Sequence, residues 1–167
     1  MAYKIRVILN IEEDTIRDIA IDPSSSLEDL HNMITNSFDF AGDEMASFYR
    51  SDETWVQGEE FPLFDMSDGH EKKIQMSEIR IDQLLLNEND KMIYVYDFFN
   101  MWSFYVELIS TDFNHKKATL PNLLFSLGIV PKNAPEIQFE SEVLSEETFE
   151  DEFLEDINED FMDFYYN

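Results

Sequence analysis

Asp97 interrupts the stretch Met92 to Leu108, MIYVYDFFNMWSFYVEL, which gathers seven aromatic side chains into seventeen residues. A carboxyl group held among apolar side chains needs partners, because isolation there raises its pKa or costs several kcal/mol. Two chemistries are open to it. Asp97 accepts hydrogen bonds from the amides of its own turn or pairs with Arg17, fixing the register of a hairpin. Alternatively it lies in a polar pocket beside His31, where it binds a cation or acts as a base. Asp97 and His31 alone fall short of the three or more donors that catalytic zinc or non-haem iron requires. Asn100 adds an oxygen suited to a hard cation, but such ligands are too common to define a site. The chain has only four glycines and no Gly-rich phosphate loop, nucleophile elbow or His-Glu-x-x-His run. The residues therefore assign no cofactor, no metal and no catalytic set. Tyr94, Tyr96, Trp102 and Tyr105 have faces that stack bases, yet without interleaved basic residues they read as core.

These side chains need a sheet and a helix to hold them. In Tyr3 to Ile11, alternate residues Tyr3, Ile5, Val7, Leu9 and Ile11 are apolar, and Thr15 to Asp22 repeats the period, so an opening hairpin is expected. Ser26 is placed as an N-cap, with Glu28 and Asp29 in the first turn, for a helix whose stripe is Leu27, Leu30, Ile34 and Phe38. His31 lies close to that stripe, where a histidine is usually a satisfied, semi-buried donor. Short strands are expected at Met45 to Tyr49 and Thr54 to Val56. An exposed connection carrying a short strand follows from Gln57 to Lys73, with His70 solvated, and Ile79 to Leu86 reads as a strand entering a helical turn. The aromatic stretch divides into strands at Met92 to Phe98 and Trp102 to Ile109 around a tight connection at Phe99 to Met101, giving a hairpin that carries Tyr94, Tyr96, Phe98 and Trp102. Beyond it, Pro121 suits a first helical position, Leu123, Leu124 and Leu127 form a stripe, and Gly128 suits a C-terminal cap, so a short helix is expected at Leu120 to Val130. The sum is an α+β fold: a mainly antiparallel sheet with an aromatic hairpin, one principal helix packed on it, and short C-terminal helices.

The last stretch changes character. From Glu140 onward there are twelve acids and no lysine or arginine. Phe149, Phe153, Ile157 and Phe161 recur every four residues behind Ser145, a stripe that fits an amphipathic helix, although acids on neighbouring turns repel one another. Alternation of acids with aromatics is equally the mark of segments that fold on a partner. Residues 1–135 are thus expected as the folded domain and 136–167 as an acidic, aromatic-containing tail.

Composition narrows the partners. With 37 acids against 11 basic residues the formal charge is -26, a field that repels phosphate backbones and anionic membrane surfaces and attracts basic proteins. No direct nucleic-acid contact and no membrane contact are expected; a basic protein reached through the acidic tail is the expected partner, and the oligomeric state is left open. The chain lacks cysteine, so it offers no disulfide and no thiolate. Its first residues lack the apolar core of a signal peptide and no apolar run reaches membrane-spanning length, which makes the cytoplasm the expected location.

YKIRVIL at the start, Arg17 in the second strand, LEDLHNMI at Leu27 to Ile34 and YVYDFFNMW at Tyr94 to Trp102 together resemble the plasmid ORF-three-like family of bacterial and plasmid genomes. The resemblance covers roughly residues 3 to 110 and implies an α+β domain with a mainly antiparallel sheet. It picks out Arg17, Leu30, His31, Phe48, Tyr94, Tyr96, Asp97, Phe98 and Trp102. The family carries no assigned activity, so the resemblance implies a fold and a core. In the family the aromatic run continues with glycine, an acid and, further on, a histidine; here Phe99, Asn100 and Phe104 stand in those places. If that glycine serves a positive φ, Phe99 costs on the order of 1 kcal/mol in the same conformation, and the turn is expected to change shape. Two titratable groups beside Asp97 are lost as well.

Three functions fit these observations: a non-enzymatic binding or interaction module, a metal-dependent hydrolase using Asp97 and His31, and an acidic mimic of nucleic acid. The charge and the lack of a complete catalytic set favour the first.

Overall fold

Alternation of apolar and polar residues dictates most of the architecture. The computed structural model describes residues 1–69 and 71–135; the expected exposure of His70 and the helical stripe after Glu140 lie outside the described residues. Met1–Ala134 forms one unit, built on strands β1 (Ala2–Leu9), β2 (Ile16–Ile21), β3 (Ala46–Ser51), β4 (Gln57–Pro62), β5 (Lys91–Tyr96), β6 (Trp102–Phe113) and β7 (Asn122–Leu127), with one α-helix, α1 (Leu27–Ser37). All neighbouring strands are antiparallel, in the order β4-β3-β5-β6-β1-β2-β7. The expected hairpin β1–β2 is present, with Ile5 opposite Ile19 and Arg6 opposite Asp18. Its first strand lies inside the sheet because β6 occupies its other side, Leu9 facing Phe104 and Ala2 facing Phe113.

The helix starts where its cap requires. The Ser26 hydroxyl accepts from the Asp29 amide at 3.1 Å and the Asp29 carboxylate accepts from the Ser26 amide at 3.0 Å, a reciprocal box that satisfies two otherwise orphaned donors. Leu27, Leu30 and Ile34 are fully buried and join Ile5, Val7, Ile19, Ile21, Phe48, Phe61, Tyr94, Phe104 and Val106 in one core. Burial of such side chains stabilises by roughly 2 kcal/mol each before the entropy of ordering them is subtracted. Phe38 and Phe40, just past the helix, bring their rings to 4.9 Å and 6.0 Å from Phe104, and Phe40 also meets Trp102 at 5.2 Å.

Four expectations are corrected. Leu120 to Val130 is not a helix, since Asn122–Leu127 is a strand paired with β2. Leucines at 123, 124 and 127 match a helical stripe, but Leu123, Phe125 and Leu127 also alternate, and the free side of β2 supplies the backbone partners that decide between the two. Gly128 is accordingly no helix cap. It has φ +83°, and a Cβ there would lie 2.3 Å from the Asp14 carbonyl oxygen. The partner of β3 begins at Gln57 and not at Thr54, because Asp52 first organises residues 52–56: its Oδ1 accepts from the Thr54 amide, the Thr54 hydroxyl and the Val56 amide at 2.7 to 3.1 Å. Ile79 to Leu86 contains no strand; 3₁₀ turns at Met76–Glu78 and Ile81–Gln83 hold Ile79, Ile81, Leu84 and Leu85 in the core. Finally, β5 stops at Tyr96, so Phe98 belongs to the turn and is exposed.

Candidate functional site

The turn between β5 and β6 runs over residues 97–101 and is built by Asp97. Its Oδ1 accepts from the amides of Phe99 and Asn100 at 3.1 and 3.3 Å, and its Oδ2 accepts from the Asn100 side-chain amide at 2.6 Å. Its backbone N–H donates to the Met45 carbonyl and its carbonyl accepts from the Met101 amide. Left-handed backbone falls on Asp97 at φ 63° and Met101 at φ 56°, and Phe99 is spared it. Aspartate tolerates that region better than a bulky residue does, and the two positive-φ positions flank Phe99.

Arg17 does not meet Asp97. It is buried in another neighbourhood, where its guanidinium donates to the carbonyls of Ile16, Ser37, Leu127 and Gly128 at 2.8 to 3.1 Å and lies 4.7 Å above the Phe38 ring. Arg17 thus joins β2, the end of α1 and the end of β7. Burial pulls its pKa down, opposed by the nearby Asp39 carboxylate. The buried acid opposite a cation is Asp18, which was not among the residues singled out above. Its carboxylate receives two hydrogen bonds from Arg6 at 2.8 and 3.0 Å. The hairpin register, which sets Arg6 against Asp18, is the signal that could have revealed it.

His31 sits on α1 and is only 2% exposed. Its Nδ1 lies 2.6 Å from the Tyr94 hydroxyl on β5. Burial lowers the imidazole pKa to about 4 and raises the Tyr94 phenol well above its ordinary value, so both are neutral near pH 7. The Tyr94 hydroxyl has no other hydrogen-bond partner among the described residues. Were His31 the donor, the tyrosine proton would be buried without an acceptor, at a cost of about 1–3 kcal/mol. Tyr94 O–H therefore donates to Nδ1, and the imidazole proton resides on Nε2. That Nε2–H makes no hydrogen bond to the described residues, and no buried side-chain nitrogen or oxygen among them is left without a partner. His31 lines a cleft of about 360 Å³ together with Glu28, Asn32, Asp43, Glu44, Met45 and Phe64. The loop wall is pinned where the Gly42 amide donates to the Tyr96 hydroxyl at 3.0 Å. A second cleft of about 230 Å³ adjoins the first, sharing Met45 and Phe64 and reaching Phe98.

Of the four polar residues expected together, only Asp97 and Asn100 touch. His31 is held by Tyr94 and lines the same cleft as Met45, whose carbonyl accepts from the Asp97 amide. Among the described residues no group of three or more His, Asp or Glu side chains is placed to hold a metal ion. Tyr94 acts as the partner of His31 in addition to its place among the core aromatics, a pairing that depends on how the helix lies across β5.

Among the described residues, a seven-stranded antiparallel sheet with one α-helix is the class that these observations define. Residues 1–134 match the model of the family described as plasmid pRiA4b ORF-3-like protein, and the chain belongs to that family. A solved structure, that of a protein of unknown function, MM3350, from Methanosarcina mazei Go1, is similar with a TM-score of 0.54 at 15% identity, over 75% of this chain and 68% of that one. At that identity the likeness is one of fold. No curated protein matches the chain.

Proposed function

We propose that the chain is a non-enzymatic binding module whose His31 cleft receives a basic segment of a partner protein. The observation that carries this is a buried imidazole, engaged by Tyr94 at Nδ1, that lines a cleft edged by Glu28, Asp43 and Glu44, which leaves its Nε2–H as the donor for a ligand. An N–H donor takes a carbonyl oxygen, carboxylates take an ammonium group, and Met45 and Phe64 take the aliphatic stem between them. A lysine residue in a polypeptide offers all three. The net charge of -26 and the acid-rich sequence after Glu140 draw such a partner from a distance in a cytoplasm-like ionic strength.

The test uses N-acetyl-lysine methylamide and its uncharged counterpart N-acetyl-norleucine methylamide, followed by NMR at the His31 ring nitrogens. The lysine compound is expected to move the Nε2 resonance and the norleucine compound to leave it unmoved. Glu28→Gln combined with Asp43→Asn should weaken the lysine response about fivefold, as expected for two partly screened ion pairs. A His31 resonance indifferent to both compounds refutes the proposal.

A further inference from the structure

The sheet has a second face. α1 packs on one side, where Ile5, Val7, Ile19, Tyr94 and Phe104 point, and the residues alternating with them point to the other. Strand register lines up two rows across that other face. One is apolar: Tyr49 of β3 stands opposite Ile93 of β5, Ile93 opposite Tyr105 of β6, Tyr105 opposite Ile8 of β1, Ile8 opposite Ile16 of β2, and Ile16 opposite Leu127 of β7. Leu127 is 44% exposed and the other five are half-buried. The neighbouring row alternates in charge: Lys91 of β5, Glu107 of β6, Arg6 of β1 and Asp18 of β2. Arg6 and Asp18 are paired at 2.8 Å, Lys91 and Glu107 at 3.6 Å.

Both rows are complementary to themselves. A two-fold axis lying along the strands between β6 and β1 sets a second copy face to face and reverses the strand order, so that β5 meets β2, β6 meets β1 and β3 meets β7. Lys91 then faces Asp18 and Glu107 faces Arg6, opposite charges at all the crossings, while Tyr49 faces Leu127, Ile93 faces Ile16 and Tyr105 faces Ile8. Each of these charges already has a partner within its own sheet, so closing the face strands none of them. Trp55 adds a second observation. It has φ 64°, an outlier for so bulky a side chain, and its ring lies 4.7 Å from the Tyr105 ring and 5.4 Å from the Lys91 ammonium. The strained loop thus mounts an indole on one half of the apolar row. Strand reversal carries that indole toward Ile8 and Ile16 of the other copy.

We infer that the face opposite α1 docks a second copy of this chain in a two-fold, sheet-on-sheet dimer. The strands that overlap, β3, β5, β6, β1, β2 and β7, are spaced about 4.8 Å apart and about 20 Å long, which gives roughly 600 Å² per copy, half of the roughly 1,200 Å² total at which specific interfaces begin. The dimer is therefore a weak one. The formal charge of -26 on each copy opposes it at long range, and salt removes that opposition once the Debye length falls below about 8 Å. His31 meets Tyr94 on the helix side of the sheet, so this contact and the His31 cleft can fail independently.

Sedimentation equilibrium of the full chain in about 0.3 M sodium chloride tests this. A monomer–dimer equilibrium with a micromolar dissociation constant is expected. Lys91→Glu together with Glu107→Lys keeps the net charge and the pair within the sheet but sets like charges at every crossing, and should weaken the dimer by more than about tenfold. Arg50→Glu together with Glu59→Arg makes the same exchange in an ion pair on the helix side and should leave the dimer unchanged. Ile8→Thr with Ile16→Thr, which retains strand-forming residues, gives a second route to the loss, and circular dichroism of dilute samples establishes that each variant is folded. A chain that stays monomeric up to about 500 µM, as it would with another segment or protein held on this face, overturns the inference. So does a dimer of undiminished strength in a folded variant of either row.

Discussion

The pairing of His31 with Tyr94 makes one imidazole a pH-dependent contributor to stability. Its pKa falls from 6.5 to about 4 on folding because burial disfavours the charged ring. Between those values the unfolded chain binds the proton more tightly, so stability is full above pH 6.5 and declines as pH falls toward about 4. The span corresponds to on the order of 3 kcal/mol. Urea denaturation at pH 7 and pH 4.5 should show this loss in the wild type and a smaller one in His31→Gln, whose amide oxygen still accepts from Tyr94 but does not titrate. An equal loss in both would place the titrating group elsewhere. At this scale the sequence revealed which residues matter better than which ones meet. Asp97 was legible as a turn-former because the donors to its carboxylate are its own neighbours. The four carbonyls that receive Arg17 come from β2, the end of α1 and the end of β7, and no local pattern announces such a convergence.

Elements were legible where one period had no rival. The alternation in β1 and β2, the Ser26 cap, the stripe of α1 and the alternating aromatics of β6 each admit a single reading. Residues 120–130 admit two, and the choice depends on β2 having a free side, which is a property of the assembled sheet. Gly128 gives this a measurable form. Its φ of +83° and the 2.3 Å approach to the Asp14 carbonyl leave no room for a methyl group. Gly128→Ala should destabilise by about 2–3 kcal/mol, from the left-handed backbone and the forced displacement of the β1–β2 turn, whereas a helix cap would lose only about 1 kcal/mol. Thermal unfolding separates the two values.

At the scale of the whole molecule, a formal charge of -26 on 167 residues means that the chain repels itself. Salt should therefore raise the melting temperature as it screens that repulsion, most steeply below about 0.1 M, where the Debye length still exceeds about 10 Å. A melting temperature that does not respond to sodium chloride would show that the charges are already locally compensated. The position of β1 has a consequence for synthesis. It lies inside the sheet, yet its partner β6 is separated from it by roughly a hundred residues. At about 5–20 residues per second the ribosome needs roughly 5–20 s to supply that partner. During this interval the hairpin with β2 can form, but the other side of β1 stays open. The nascent chain must keep one side of an apolar strand unpaired until β6 has cleared the exit tunnel.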